Sequence, residues 1–301
     1  MAVLTFIVPD EWDGFTLSEF ARKAHGVSGT TLKMAKRIEN GITLDGEHIR
    51  TVDPVKAGGV VRIVVDANAR EYKPLDIDVP VLYEDESFVA FDKPAGLAVH
   101  PSAWHAYDTL ANVYAARKET SGLVFRPVGR LDRNTSGVVL CAKNAHTAYN
   151  TRMTEKRYTA LVSGKFTAKE GTIDAPIGRE GEDSRRRCVR DDGQRAVTHY
   201  RVLREYDNFS LVEFLLETGR THQIRVHMAS IGHPVLGDPV YGGDKTLFQK
   251  QHKAIFEGQL LHAETLKFIH PRTGELTAVT CPPPENFMRA LELLGLDELV
   301  K

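Results

Sequence analysis

From residue 81 onward, apolar runs of strand length follow one another in adjacent pairs instead of alternating with helices, and this pairing restricts the fold more than any other property of the chain. Val81-Leu82-Tyr83-Glu84 and Phe88-Val89-Ala90-Phe91 flank the Asp85-Glu86-Ser87 break, and Val197 to Leu203 is followed by Ser210 to Leu216. Runs joined by short turns make antiparallel ladders, whereas parallel strands need a long crossover between them. Further strands are expected over Val138 to Ala142, Arg157 to Val162 and Leu261 to Phe268. Helices are expected over Thr109 to Lys118, Ala145 to Glu155, Thr221 to Ile231 and Glu285 to Leu294. The fold class implied is α+β with a mixed, mainly antiparallel sheet.

A smaller α+β unit precedes it. Leu4 to Val8 reads as a strand, and Thr16 with Glu19 forms a capping box at the start of a helix reaching Ala24. A second helix is expected from Thr30 to Glu39, then strands at Ile42-Thr43-Leu44, running into the Asp45-Gly46 turn, and at Val60 to Val65. Residues 66–80 carry Pro74, Pro80 and several charges without a hydrophobic period, so they read as a linker. The expected division is a first domain over 1–65, the linker over 66–80, and a main domain over 81–301.

With 301 residues, 42% hydrophobic and 26% charged, the chain can bury a real core and is not globally disordered. A formal charge of -1 excludes a uniformly basic field, so any nucleic-acid contact must come from local patches. One candidate is the helical pair carrying Arg22, Lys23, Lys33, Lys36 and Arg37 with no acid between positions 22 and 37. Another is Arg185-Arg186-Arg187, within a stretch from Arg179 to Arg195 holding six arginines and five acids. From charge alone a solvated helix face is the commoner meaning of the first run, and a solvated loop competes closely for the second.

Cys141, Cys188 and Cys281 are odd in number and far apart, which supports neither a disulfide framework nor a CxxC metal site; a reducing cytoplasmic setting fits. The N-terminus lacks a basic region followed by an apolar stretch, and no window reaches the roughly 18 apolar residues of a membrane span. His222 and His227 are separated by about 140° on a helix, so a helical zinc pair is not expected. Neither a phosphate-binding P-loop nor a dinucleotide fingerprint is present.

The segment with most chemical potential is Gly129-Arg130-Leu131-Asp132-Arg133-Asn134-Thr135-Ser136-Gly137, a charged turn immediately before the apolar run Val138-Val139-Leu140. Loops set against strands are where scaffolds present reactive groups, although a turn aspartate bonding to its own backbone has the same appearance. The segment resembles the Arg-Leu-Asp-x-x-Thr-Ser-Gly signature of RluA-type pseudouridine synthases. Five further segments follow the family order: Asp92 to Pro101, Lys156 to Gly164, Leu216 to His227, Gly232 to Asp238, and Leu261-His262-Ala263. Residues 12–65 are similar to the small S-four-type RNA-binding domain. One departure stands out: Gly129 occupies the position where the RluA type commonly has histidine, as in the related RsuA type.

The resemblance implies a cofactor-free isomerase, with no metal, that converts uridine to pseudouridine in structured RNA. Ribosomal RNA is the first expectation and transfer RNA the second, and the enzyme is expected to act as a monomer without membrane attachment. Asp132 would be the nucleophile, adding to the uracil ring or engaging the ribose carbon; both routes need it ionised. The resemblance makes Arg220 its charge partner, Tyr158 the platform stacked on uracil and a possible general base, and Arg130 the side chain that fills the gap left by the everted nucleotide. Arg22, Lys23, Lys33, Lys36, Arg37, Arg185, Arg186 and Arg187 would contact the RNA backbone. A non-catalytic RNA-binding or ribosome-assembly factor on the same fold is the alternative, disfavoured by the intact set Asp132, Tyr158 and Arg220. A glycosidase would need a second paired carboxylate, which the sequence does not identify.

Overall fold

The computed structural model describes residues 2–65, 72–102, 105–117, 120, 124–182, 184–206, 208–242 and 258–294. In the N-terminal unit, β1 (Ala2–Ile7), β2 (Ile42–Leu44), β3 (Glu47–His48) and β4 (Val60–Val65) form an antiparallel sheet in the order β1-β4-β2-β3. Two short helices, α1 (Leu17–Glu19) and α2 (Gly29–Ala35), pack on it through a separate core that includes Leu17, Phe20, Leu32, Ile42 and Ile63. The capping box forms as expected: Thr16 Oγ1 accepts from Glu19 N at 3.2 Å, and Glu19 accepts from Thr16 N at 3.3 Å. Beyond Glu19 the helix widens into a π-helical turn over Phe20–Ala24. The second helix is shorter than expected and gives way to turns that end at Asn40, whose φ is 52°.

Residues 66–71 of the expected linker lie outside the described residues. The remainder has no helix or strand, yet it is laid on the larger unit: Tyr72 and Leu75 pack against that unit's core, and Asn112 Nδ2 donates to Lys73 O at 2.8 Å.

The larger unit is built on a ten-stranded sheet. Its N-terminal strands are β5 (Val81–Glu84), β6 (Phe88–Lys93), β7 (Arg126–Pro127) and β8 (Ser136–Ala142). Then follow β9 (Arg152–Ser163), β10 (Glu170–Asp174), a separate hairpin β11 (Ile177–Arg179) with β12 (Arg187–Val189), β13 (Val197–Tyr206) and β14 (Phe209–Leu216). The last two are β15 (Leu261–Ile269) and β16 (Leu276–Thr280). The sheet order is β10-β13-β14-β9-β15-β8-β6-β5, with β16 beside β15 and β7 beside β8. Among the described residues every ladder is antiparallel except β8 with β15, which agrees with the mixed, mainly antiparallel expectation.

Both faces of the sheet are covered at its centre. All seven residues of β8 are buried, with Val139 and Cys141 packing on one face beside Leu110 and Tyr114, and Val138 and Leu140 on the other beside Phe88 and Phe268. That explains why these strands read as continuous apolar runs instead of alternating ones. Helices α3 (Leu110–Ala116), α4 (Ala145–Asn150), α5 (Gln223–Ser230) and α6 (Glu285–Leu293) complete the unit. The helix expected to reach Glu155 stops at Asn150, because Arg152 to Glu155 instead lengthen β9 by pairing with Ile269, Phe268 and Lys267. Cross-strand pairing there overrides local helix propensity.

One register row fixes the position of the functional loop. Ala263 of β15 faces Gly137 of β8 on one side and Tyr158 of β9 on the other. The strands approach so closely that a Cβ on Gly137 would lie 2.2 Å from Ala263 O, and its φ of 109° already requires glycine. Gly137→Ala is therefore expected to destabilise the protein by about 2–4 kcal/mol through backbone strain and overpacking. Urea denaturation would show this, and an unchanged midpoint would contradict the close approach.

Candidate active site

The loop from Val128 to Thr135, which leads into β8, is held from several sides. The Lys93 side chain is fully buried, and its Nζ donates to Pro94 O at 2.9 Å, Leu97 O at 2.8 Å and Arg133 O at 3.0 Å. Burial pulls this ammonium down to about 7, while the negative charges of Asp132 and Asp92 oppose the fall. Arg133 Nε donates to Gly96 O at 2.8 Å and Gly96 N donates to Arg133 O at 3.0 Å. On the opposite side, Gln259 Nε2 donates to Thr135 Oγ1 at 3.2 Å, and Ser136 Oγ lies 2.9 Å from His262 Nδ1. His262 Nε2 is 3.0 Å from the carbonyl of Cys281, which can only accept, so Nε2 carries the proton and Nδ1 accepts from the serine. This buried pair positions the strand and has no free nucleophile.

Asp132 lies in the turn closed by Thr135 N donating to its carbonyl at 3.1 Å, with about a quarter of its side chain exposed. It lines a cavity of about 200 Å³ together with Arg130, Lys156, Tyr158, Arg220, His222 and Arg225. The cation that holds its carboxylate is Arg225, whose Nη1 donates to Asp132 Oδ2 at 2.8 Å. Arg220, the partner expected from the sequence, points elsewhere: its Nε donates to Arg195 O at 3.0 Å, although its side chain still lines the cavity. Position along α5 accounts for the correction. Arg220 precedes the helix in an exposed turn, whereas Arg225 lies in its first turns, is 4% exposed and faces the loop.

Asp238, a residue not singled out from the sequence, fixes Arg225 from the other side. Its side chain is fully buried, and it accepts from Arg225 Nε at 2.6 Å and from Arg225 Nη2 at 2.8 Å. It also accepts from Val240 N at 2.8 Å and Tyr241 N at 3.1 Å. Burial disfavours the Arg225 charge, but the two carboxylates outweigh it and raise the guanidinium further above its usual range. Burial likewise raises the Asp238 carboxyl, and the Arg225 bonds more than reverse this, so it stays ionised. The signal that could have found this pair is a charged residue inside the otherwise buried run Gln223-Ile224-Arg225-Val226-His227-Met228, which demands a buried acid.

His222, immediately before α5, has φ 59° and directs Nε2 to 3.9 Å from Asp132 Oδ2, while its Nδ1 lies 2.8 Å from Tyr241 Oη. Burial lowers its affinity for a proton despite nearby Asp132, so the ring is neutral at neutral pH. Tyr158 is half-buried on the cavity wall; burial and then the charge of Asp132 push its phenol up, so it keeps its proton. Arg130 is exposed at the rim. Gly129 beside it has φ 96°, a left-handed conformation that glycine adopts at no cost and a histidine would resist.

The remaining expected residues lie outside this cavity. Arg22, Lys23, Lys33, Lys36 and Arg37 are all exposed in the N-terminal unit, with Lys23 paired to Glu19 at 3.3 Å. Arg185 and Arg186 are exposed in the loop that joins β11 to β12, and Arg186 pairs with Glu180 at 3.4 Å. Arg187 is not on an exposed loop as expected: it is half-buried in β12, and its backbone N donates to Tyr241 Oη at 2.9 Å.

Known proteins similar to this chain identify its family. A family model described as RNA pseudouridylate synthase matches residues 87–230. The RNA pseudouridine synthase YlyB of Bacillus subtilis is 40% identical over 265 residues, covering 84% of this chain and 85% of that one. The chain belongs to the RNA pseudouridine synthase family. Ribosomal large subunit pseudouridine synthase D of Pseudomonas aeruginosa is 39% identical over 308 aligned positions, covering 96% of this chain and 95% of its own. Human RNA pseudouridylate synthase domain containing 4 superposes with a TM-score of 0.58 at 25% identity, covering 71% of this chain and 92% of that chain. This pseudouridine synthase is of the RluA type and is an isomerase that converts uridine in RNA to pseudouridine.

The structure makes the two arginines separable. Removing Arg225 strands Asp238 as an uncompensated buried charge, so Arg225→Gln should cost about 3–5 kcal/mol of stability. Arg220→Gln, at an exposed position, should stay within about 0.5 kcal/mol. Urea unfolding of the two variants checks this, and equal losses would refute the assignment of Arg225 as the buried partner.

Proposed function

We propose that Asp132 is the nucleophile of this isomerase, that the cavity receives an everted uridine, and that the substrate is large-subunit ribosomal RNA. The observation that carries the reading is the Asp132 carboxylate on the cavity wall, hydrogen-bonded at 2.8 Å to a buried, permanently charged guanidinium. A uracil within paired RNA cannot reach such a group, so the nucleotide must leave its stack at a cost of a few kcal/mol, offset by contacts in the pocket. The glycosidic bond to N1 breaks, the base turns, ribose C1′ joins C5, the C5 hydrogen leaves as a proton, and N1 takes up a proton from solvent, so that the product is an isomer of uridine. Asp132 serves by adding to the ring or by engaging C1′.

Arg225 pairs with that carboxylate and orients it, the role first expected of Arg220. Tyr158 supports the uracil ring; its retained proton favours this over service as a base. Arg130, at the rim, enters the space that the everted nucleotide vacates. The ribosomal substrate is supported by the Pseudomonas aeruginosa relative, whose name gives the large ribosomal subunit. The N-terminal unit acts as an S-four-type RNA-binding domain through the exposed face bearing Lys33, Lys36 and Arg37. The enzyme works as a monomer in the cytoplasm, a setting with which its three free cysteines agree. Among the described residues, no helix is long and apolar enough to cross a membrane.

The test uses RNA tritiated at uridine C5, with tritium release and pseudouridine in the digest both measured. Wild-type protein should yield both in equal amounts, and Asp132→Asn neither. Activity in the variant, or release without pseudouridine, would overturn the assignment. In the same assay, Lys33→Glu with Arg37→Glu should raise KM and spare kcat, whereas an unchanged KM would remove the N-terminal face from RNA binding. Mapping pseudouridine in cellular RNA with and without the protein identifies the uridine; its absence from large-subunit RNA would exclude that substrate.

A further inference from the structure

With Arg225 holding Asp132, Arg220 is left without its expected partner. Lys156 and Arg220 both line the cavity. Lys156 Nζ donates to Thr218 O at 3.1 Å, and a Cβ on Gly219 would lie 3.6 Å from that nitrogen, so the ammonium rests against the turn that carries Arg220. The turn is held by hydrogen bonds: buried Gln223 accepts from Arg220 N at 2.9 Å and from Thr218 Oγ1 at 2.8 Å, and its Nε2 donates to Val197 O at 2.9 Å.

Four other cations of the larger unit are neutralised. Arg157 pairs with Glu155 and Glu213, Lys267 with Glu155, Arg195 with Glu217 and Arg201 with Glu213. Among the described residues, Lys156 and Arg220 have no carboxylate within ion-pair distance, and the only side-chain bonds they make are to main-chain carbonyls. Two of the three Lys156 donors and both terminal nitrogens of Arg220 remain available, and these are donors of the kind that bind phosphate oxygens.

We propose that Lys156 and Arg220 form a phosphodiester-binding site on the rim of the cavity, gripping the RNA backbone next to the everted uridine. The proposal rests on the reading that this cavity receives that nucleotide. Burial, and then repulsion from Arg220, disfavour the Lys156 charge in the free protein. An arriving phosphate would set a negative charge against both cations and so offset these penalties. A single phosphodiester spanning the two cations would fix the strand while the base turns, which a base-only pocket cannot do.

The experiment measures Kd for a hairpin RNA containing the mapped uridine, with each linkage around it replaced in turn by an uncharged methylphosphonate. In wild-type protein one linkage adjacent to the target should weaken binding by about tenfold, equivalent to about 1.4 kcal/mol. In Lys156→Gln with Arg220→Gln, the same replacement should cost less than about twofold, and the dependence of log Kd on log salt should fall by about 0.7–0.9. Lys156→Arg, which keeps the charge, should restore the linkage sensitivity. Their turnover loss should appear in KM and not in kcat.

A wild type indifferent to every linkage would overturn the proposal without reference to any variant's folding. So would a double variant retaining the full penalty, or a loss confined to kcat. Because Kd needs no turnover, these results stand whether or not Asp132 proves to be the nucleophile.

Discussion

The Arg225 guanidinium, almost wholly removed from water, lies between two carboxylates, and the site takes its shape from that arrangement. Asp238 engages two of its nitrogens from the buried side, leaving the third to meet Asp132 at the cavity. A cation desolvated to this degree is tolerable only when its donors are occupied, so the three groups are ordered together or not at all. Such a buried array is weak evidence of net stability. What it supplies is position: an aspartate in a loop would sample several rotamers, and this one is bonded to a group that cannot move without exposing Asp238.

The sheet provides the other half of that positioning. The row Gly137, Ala263, Tyr158 sets the start of β8 and the middle of β9 on either side of β15, so the loop carrying Asp132 and the ring of Tyr158 reach one cavity from different strands. Lys93, Gln259 and His262 then secure the loop through hydrogen bonds to its backbone and hydroxyls. Segments far apart in the chain converge because each contributes a tether or a wall. Around the mouth, Arg130, Lys156 and Arg220 give a nearly neutral protein the local positive charge that RNA requires.

Much of this was legible in the sequence. Paired apolar runs indicated an antiparallel sheet, the Thr16–Glu19 capping box was found where its spacing placed it, and the Asp132 segment was recognisable by its ordered motifs. The edge strands β10, β11, β12 and β16 were not legible, because short strands with few buried residues leave little periodic signal. The assignment of Arg220 in place of Arg225 has a different origin. Both arginines lie in one motif, and only the packing of α5 decides which faces the aspartate. Asp238 closes one of the recognised segments, but its role went unassigned because its partner lies 13 residues away and only the packing of α5 brings the two together.

A double-mutant cycle between Arg225→Met and Asp238→Asn, followed by urea unfolding, shows whether the two residues act as one buried unit. If Arg225 and Asp238 form one buried unit that holds Asp132, each single substitution should be strongly destabilising. The double should then cost less than their sum by about 1–3 kcal/mol. Losses that add to within about 0.5 kcal/mol would mean that the two residues act independently and that no single buried unit holds Asp132.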